Sequence, residues 1–237
     1  MAKKKTYVDE WIEREKLHPN IREALENASR YFARTDALTV NTLEAIYGEE
    51  SSFGKQRGRR GSADAAGEFQ IKVPTAQHYH LVVTKENDQR FDIDYASIAA
   101  ARYLKDLNGL FGKPAKLAQD LITIPVADMS ERKKFVLGAY NLGQGRIASA
   151  QQLAEQAGKD PTKWDDVKGF LEAAGETADN AQKARRYVED ILRNEVEFAG
   201  KSSADKKVKN RRPGKTTGAC INGHWITKDH HHIFICE

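Results

Sequence analysis

Apolar positions recur at helical spacing through most of the first 200 residues. Val8–Lys16 reads as a short helix that stops before His18-Pro19. Asn20 is placed to cap the next, on which Ile21, Leu25, Ala28 and Phe32 share a face. A third helix is expected from Val40 to Glu50, and residues 54–68 form a long loop rich in Gly, Arg and Ser. The stretch Glu68–Val73 alternates as a short strand would, with Pro74 as its stop. Asp94 can cap a helix through Ala99, Tyr103, Leu107 and Phe111, closed by Gly112 and Pro114. Ser130 can cap another that ends at Asn141–Gly143, and a further helix covers about Gly145–Ala157. The last, about Asn180–Asn194, repeats Ala181, Ala184, Tyr187/Val188 and Ile191/Leu192. The pattern predicts a mainly α domain with a small β element.

Lys201–Lys215 breaks the pattern with seven Lys/Arg in fifteen residues, interspersed with Ser, Gly and Pro, and reads as a solvated linker. Residues 219–236 alternate again and predict a hairpin. The expected organisation is therefore an N-terminal helical segment (1–34) packed on the main domain (35–197), a basic linker (198–218) and a Cys/His-rich C-terminal hairpin or tail (219–237).

Composition adds two constraints. At 237 residues and 40% hydrophobic content the chain can bury a core, and no run approaches the roughly 18 apolar residues of a membrane span. The basic start, Met1 to Glu10, has no apolar stretch behind it and does not read as a secretory signal. The net charge of +4 is uneven: residues 1–200 carry −1 and residues 201–237 carry +5. A neutral body argues against a nucleic-acid-binding domain and leaves the tail as the electrostatic element. Both cysteines, Cys220 and Cys236, lie in that tail. They flank the expected hairpin, so a disulfide could staple it; Cys220, His224, His230 and Cys236 could instead supply four zinc ligands, or the tail could be bare. The body offers no metal motif and no phosphate-binding glycine loop, and no cofactor is expected.

The sharpest chemical signal in the body is Glu50. With Leu43 at the origin of a helical wheel, about 100° per residue puts Ile46 near 300°, Tyr47 near 40° and Glu50 near 340°. Glu50 thus falls within the apolar stripe and Glu49 well off it. A carboxyl on a buried face is kept protonated more readily, which suits a general acid. A helix ending one residue earlier would instead leave Glu50 in solvent.

Three ordered stretches turn this into a pattern: Glu50-Ser51-Ser52-Phe53; Ala65-Ala66-Gly67-Glu68-Phe69-Gln70-Ile71 with Pro74-Thr75-Ala76; and Ala139-Tyr140-Asn141-Leu142-Gly143. Together with Arg186-Tyr187-Val188 they resemble the catalytic domain of family 1 lytic transglycosylases, the soluble lytic transglycosylase type with a lysozyme-like fold. The run Ala150–Lys168 is especially similar to the C-terminal module of the membrane-bound lytic transglycosylase F group. The resemblance covers roughly residues 35–197 and implies an α+β lysozyme-like bundle around a catalytic helix. It implies Glu50 as the single acid/base, and Ser51, Gln70, Tyr140, Asn141 and Tyr187 as substrate-binding residues. The implied substrate is the glycan strand of peptidoglycan, cut between N-acetylmuramic acid and N-acetylglucosamine with closure of a 1,6-anhydro ring.

One departure bears on the chemistry. The family usually has an apolar residue where this chain has Glu68. On a strand, Glu68 would share a face with Gln70, and Asp64 lies in the preceding loop. Either could act as the second carboxylate that a hydrolase needs, about 5–9.5 Å from the first. The alternative is that Glu68 pairs with Arg57, Arg59 or Arg60. The rival functions are thus a muramidase and a non-catalytic wall-binding part of a phage or injection particle. Without a leader, an enzyme of this kind would reach the bacterial wall in a phage particle, a lysis programme or an injection apparatus. The basic tail would help hold it on an acidic wall by a salt-sensitive attraction.

Overall fold

The computed structural model describes residues 5–58, 64–208, 223–228 and 231–236. It divides into two units, residues 1–202 and residues 203–237. The first is a helical bundle. Helices α1 (Tyr7–Glu15) and α2 (Pro19–Ser29) precede α3 (Val40–Ser51). A short α4 (Val73–His78) leads to the long central α5 (Ile93–Gly112). Then come α6 (Met129–Leu142), α7 (Gln144–Gln156), α8 (Trp164–Val167) and α9 (Ala178–Val208). Helix α2 packs on α5, α5 on α6 and α6 on α7. Leu104, Leu107 and Phe111 of α5 and Phe135, Val136 and Leu137 of α6 are fully buried between them. Gly138 lets α8 approach: a Cβ there would sit 2.6 Å from the Trp164 ring.

The helix starts are set by local chemistry. Asp92, not Asp94, caps α5, its side chain accepting from the Asp94 amide; Asp128, not Ser130, caps α6 in the same way through Glu131. The expected start at Asn20 moves to Pro19, which occupies the first turn where its missing N–H costs nothing.

Two expectations are corrected. Residues 68–73 are not a strand: Gly67 at φ +81° and Gln70 at φ +46° both lie in the left-handed region, so the chain turns over 67–70 and leaves a single bridge, Ala66 to Ile71. Pro74 then opens α4 rather than ending a strand. The sheet content of this unit among the described residues is a small antiparallel pair that the pattern did not reveal, β1 (Lys116–Ala118) with β2 (Leu121–Ile122). The second correction concerns the linker. Helix α9 continues to Val208, past the expected linker start at 198, because Phe198 is buried against Phe53 and Lys201 pairs with Asp9 and Glu197 at 2.6 and 2.5 Å. In the second unit, β3 (Gly223–Lys228) and β4 (His231–Cys236) form an antiparallel hairpin with Trp225 opposite Phe234. Cys220 and His230 lie outside the described residues, so the disulfide and zinc alternatives do too.

The N-terminal helices are bound to α3 by apolar and ionic contacts. Trp11 stacks on Phe53 with ring centroids 4.3 Å apart and meets Tyr47 edge-on at 5.4 Å. Beside this cluster, Arg22 of α2 reaches Glu44 of α3 at 2.7 Å and Glu15 of α1 at 3.7 Å, and bonds Glu26 at 2.8 Å. Glu44 is only 1% exposed. Burial, and the neighbouring Glu44 charge, push the Glu15 carboxyl up to about 7, and burial pushes Glu44 up as well. The native state thus holds a proton that the unfolded chain, with its glutamate near 4.5, has released. This cluster therefore stabilises the fold most fully below about pH 4.5, and its contribution falls as pH rises from there to about 7. Glu15→Gln is expected to raise Tm at pH 8 and to flatten the dependence of Tm on pH between 5 and 7. Thermal melts of the two proteins across that range provide the check.

Candidate active site

Helix α3 carries the central carboxylate at its C-terminal end. The helix is started by Thr39 and Thr42, each side chain accepting from the other's backbone N–H. It ends abruptly because Ser52, Phe53 and Gly54 all take left-handed φ values. That reversal folds the Phe53 ring back over Gly48, where a Cβ would approach it to 2.6 Å. Glu50 in the last turn is half-buried and Glu49 exposed, as the helical wheel predicted.

Glu50 lines a cavity of about 190 Å³ together with Gln70, Lys72, Thr75, Tyr103, Tyr140 and Asn141. Its Oε1 accepts a 2.8 Å hydrogen bond from the Tyr187 hydroxyl of α9. Burial and then the Glu50 charge raise the Tyr187 phenol well above its ordinary value, and the same two causes act on Tyr140. Both phenols therefore stay protonated and donate. Tyr140 donates to the Phe69 carbonyl at 3.0 Å, tying α6 to the 67–70 turn, and its ring lies 5.3 Å from that of Tyr103. Asn141 follows it at the end of α6, where Gly143 at φ +91° stops the helix.

The opposite wall is the turn that carries Gln70. Its amide nitrogen donates to the carbonyls of Gly67 and Gly58 at 3.0 and 3.2 Å. Its Oε1 is buried and receives no hydrogen bond among the described residues. The turn is locked from behind by Arg90, which has no exposed surface. The guanidinium bonds Asp88 at 2.7 and 2.9 Å, the Ile71 carbonyl at 3.2 Å and Asp64 at 3.4 Å. Gly67 is required where the two segments touch, since a Cβ would lie 1.7 Å from the Arg90 carbonyl oxygen.

The remaining sequence-derived residues lie outside the cavity lining. Ser51 is fully buried, donates to the Tyr47 carbonyl and accepts from the Gly54 amide, both at 3.0 Å. Its hydroxyl builds the bend after α3 and does not line the cavity. Glu68 does not share a face with Gln70, because the chain turns between them; it is 5% exposed and pairs with Arg57 at 2.9 Å. Asp64 is drawn to Arg90. Glu50 is the carboxylate of the lining among the described residues. Tyr103, Thr75 and Lys72 line the site without having been singled out. Tyr103 sits on the same helical face as Ala99 and Leu107 and reads as core; Lys72 follows a stretch that reads as strand. No group of three or more His, Cys, Asp or Glu that could hold a metal ion occurs among the described residues.

Removing the Ser51 hydroxyl separates its structural role from the chemistry. Ser51→Ala is expected to cost about 1–3 kcal/mol, because it leaves the Gly54 amide without its partner. Urea denaturation should show the midpoint fall with an unchanged slope.

The model of the transglycosylase SLT domain matches residues 28–163. A membrane-bound lytic murein transglycosylase F 2 of Alkalilimnicola ehrlichii is 28% identical over 171 residues, which are 70% of this chain and 34% of that protein. A membrane-bound lytic murein transglycosylase F of Marinobacter nauticus is 37% identical over 84 residues, 35% of this chain and 14% of that protein. The chain thus spans about a third or less of the length of these curated relatives.

Proposed function

Because the chain belongs to the transglycosylase SLT domain family, we propose that it is a lytic transglycosylase of peptidoglycan with Glu50 as its acid and base. The observation that carries the reading is the single carboxylate of the lining among the described residues, fixed by a tyrosine and faced by an amide wall. Glu50 protonates the glycosidic oxygen between N-acetylmuramic acid and N-acetylglucosamine, and the bond from that oxygen to C1 breaks. The C6 hydroxyl oxygen of the same muramic acid then bonds to C1, and its proton returns to Glu50. No water is consumed, and the carboxyl ends the cycle as it began. Tyr187 fixes the rotamer of Glu50 through both steps. Asn141 offers its amide for the N-acetyl and hydroxyl groups of the sugars, while Gln70, its amide nitrogen held by the Gly67 and Gly58 carbonyls, shapes the facing wall. Tyr103 and Tyr140 supply aromatic surface for a ring face.

The commitment of Glu68 to Arg57 and of Asp64 to Arg90 favours this reading over a muramidase. A water-activating carboxylate must face the scissile bond, and neither of these lines the cavity.

Three outcomes are expected. Glu50→Gln should abolish release of soluble products from sacculi while leaving Tm near that of the parent, since an amide supplies no proton. Mass spectrometry of the parent's products should show anhydro-muropeptides, one water lighter than lysozyme products; reducing ends as the main species would favour the hydrolase. Tyr187→Phe should keep the fold and lower kcat about 10- to 100-fold, in line with the cost of misplacing a catalytic group.

For the tail, the cut that tests wall retention is after Val208, since α9 runs that far and Lys201 is tied to Asp9 and Glu197. That truncation should spare turnover of soluble glycan fragments and weaken binding to sacculi at low salt, as a pull-down across a salt series would report.

A further inference from the structure

Beside the Glu50 cavity lies a second recess of about 310 Å³ that shares two of its walls, Thr75 and Tyr103. The two hollows are therefore neighbours, with Thr75 and Tyr103 between them. The second runs along one face of α5: Tyr103, Asp106, Leu107 and Leu110 follow at helical spacing. Seven residues of helix at about 1.5 Å each carry it about 10 Å away from the shared wall, the reach of three residues of extended peptide. Its floor is apolar, with Leu107 fully buried. Its rim is polar: Asp106, His78 and, from the start of α7, Gln144.

The charge on that rim is held in place. Tyr79, itself 7% exposed, donates its hydroxyl to Asp106 Oδ2 at 2.8 Å, and burial followed by this bond keeps the phenol protonated. Asp106 Oδ1 has no hydrogen bond or ion pair among the described residues, and the side chain is exposed to the recess. Arg102 sits over the Tyr79 ring at 5.6 Å from its centroid and is not part of the lining, whose one titratable base is His78. A recess that joins an apolar floor to one oriented carboxylate is complementary to an aliphatic chain ending in an ammonium. The sugar rings of a glycan strand carry no such group. The diamino acid of a peptide attached to that strand does.

We infer that the recess beneath Asp106 takes the peptide stem of the substrate, with the side-chain ammonium of its diamino acid paired to Asp106. This rests on the peptidoglycan reading above and deepens it. The pairing makes Asp106 a specificity residue: it selects strands that still carry their peptides and whose amine is neither cross-linked nor capped.

The test measures binding in a background that cannot turn over, so it does not depend on the chemistry at Glu50. In Glu50→Gln protein, the Kd of three ligands is determined by calorimetry. These are a disaccharide-tetrapeptide with a free amine, the same muropeptide after N-acetylation, and the disaccharide without peptide. Adding Asp106→Asn should weaken the first about three- to fivefold, the scale of a partly exposed ion pair, and leave the other two within twofold. Asp106→Glu should recover part of the loss. Acetylation alone should weaken binding to the Glu50→Gln protein by the same factor. Equal weakening of all three ligands by Asp106→Asn would overturn the inference in favour of a sugar contact, and no weakening of the first would overturn it outright. Absence of anhydro products with the parent protein would count against the transglycosylase reading alone, since the Kd pattern stands apart from it.

Discussion

The register between α3 and α9 is the constraint on which the site depends. At one end of α3, Glu195 accepts from Thr42 at 2.6 Å and from Thr39 at 3.1 Å, beside its ion pair with Lys133. At the other end, Tyr187 reaches Glu50 at 2.8 Å. Thr42 and Glu50 are eight residues apart, as are Tyr187 and Glu195, so the two antiparallel helices match rung for rung over about 12 Å. A slip of one residue would rotate Tyr187 by about 100° and take its hydroxyl from Glu50. The aromatic cluster of Trp11, Tyr47, Phe53 and Phe198 packs around the same pair and resists that slip.

Ionic groups are buried here for placement more than for stability. A buried guanidinium or carboxylate loses several kcal/mol of hydration, which its partners only offset. What Arg90 provides is direction: its bonds to Asp88, Ile71 and Asp64 hold a turn that has almost no sheet hydrogen bonding of its own. Removing that cation would take the ion pair from Asp88, whose side chain is only 10% exposed. The Glu15–Arg22–Glu44 group is different, with two buried carboxyls around one guanidinium and hence a retained proton.

The helices and the position of Glu50 were legible in the sequence because a period of 3.6 residues survives any tertiary context that keeps the element helical. The ordered motifs also pointed to Gln70, Tyr140, Asn141 and Tyr187, which the fold places on or behind one cavity. The 67–70 turn was not legible. Alternation of polar and apolar residues there reflects a buried Phe69 and an ion-paired Glu68, and the left-handed φ of Gln70 has no signature in a residue that usually avoids it. Ser51 was misplaced for a related reason, since a serine next to an acid looks the same whether its hydroxyl meets a ligand or its own backbone. Tyr103 and Asp106 were hidden because a helix lining a hollow carries the same apolar stripe as one lining a core.

The span of these contacts along the chain orders the assembly of the site during folding. Asp64, Ile71, Asp88 and Arg90 lie within 27 residues of one another, so the loop that their ion network closes is short. The bond from Tyr187 to Glu50 closes a loop 137 residues long. Contacts of such different range form at very different entropic cost, and the local set forms first. A chain emerging from the ribosome is thus expected to shape its amide wall early, yet to leave Glu50 without its tyrosine until α9 has been made. A chain that ends between Gly143 and Tyr187 carries the whole cavity lining and lacks the tyrosine that bonds the acid.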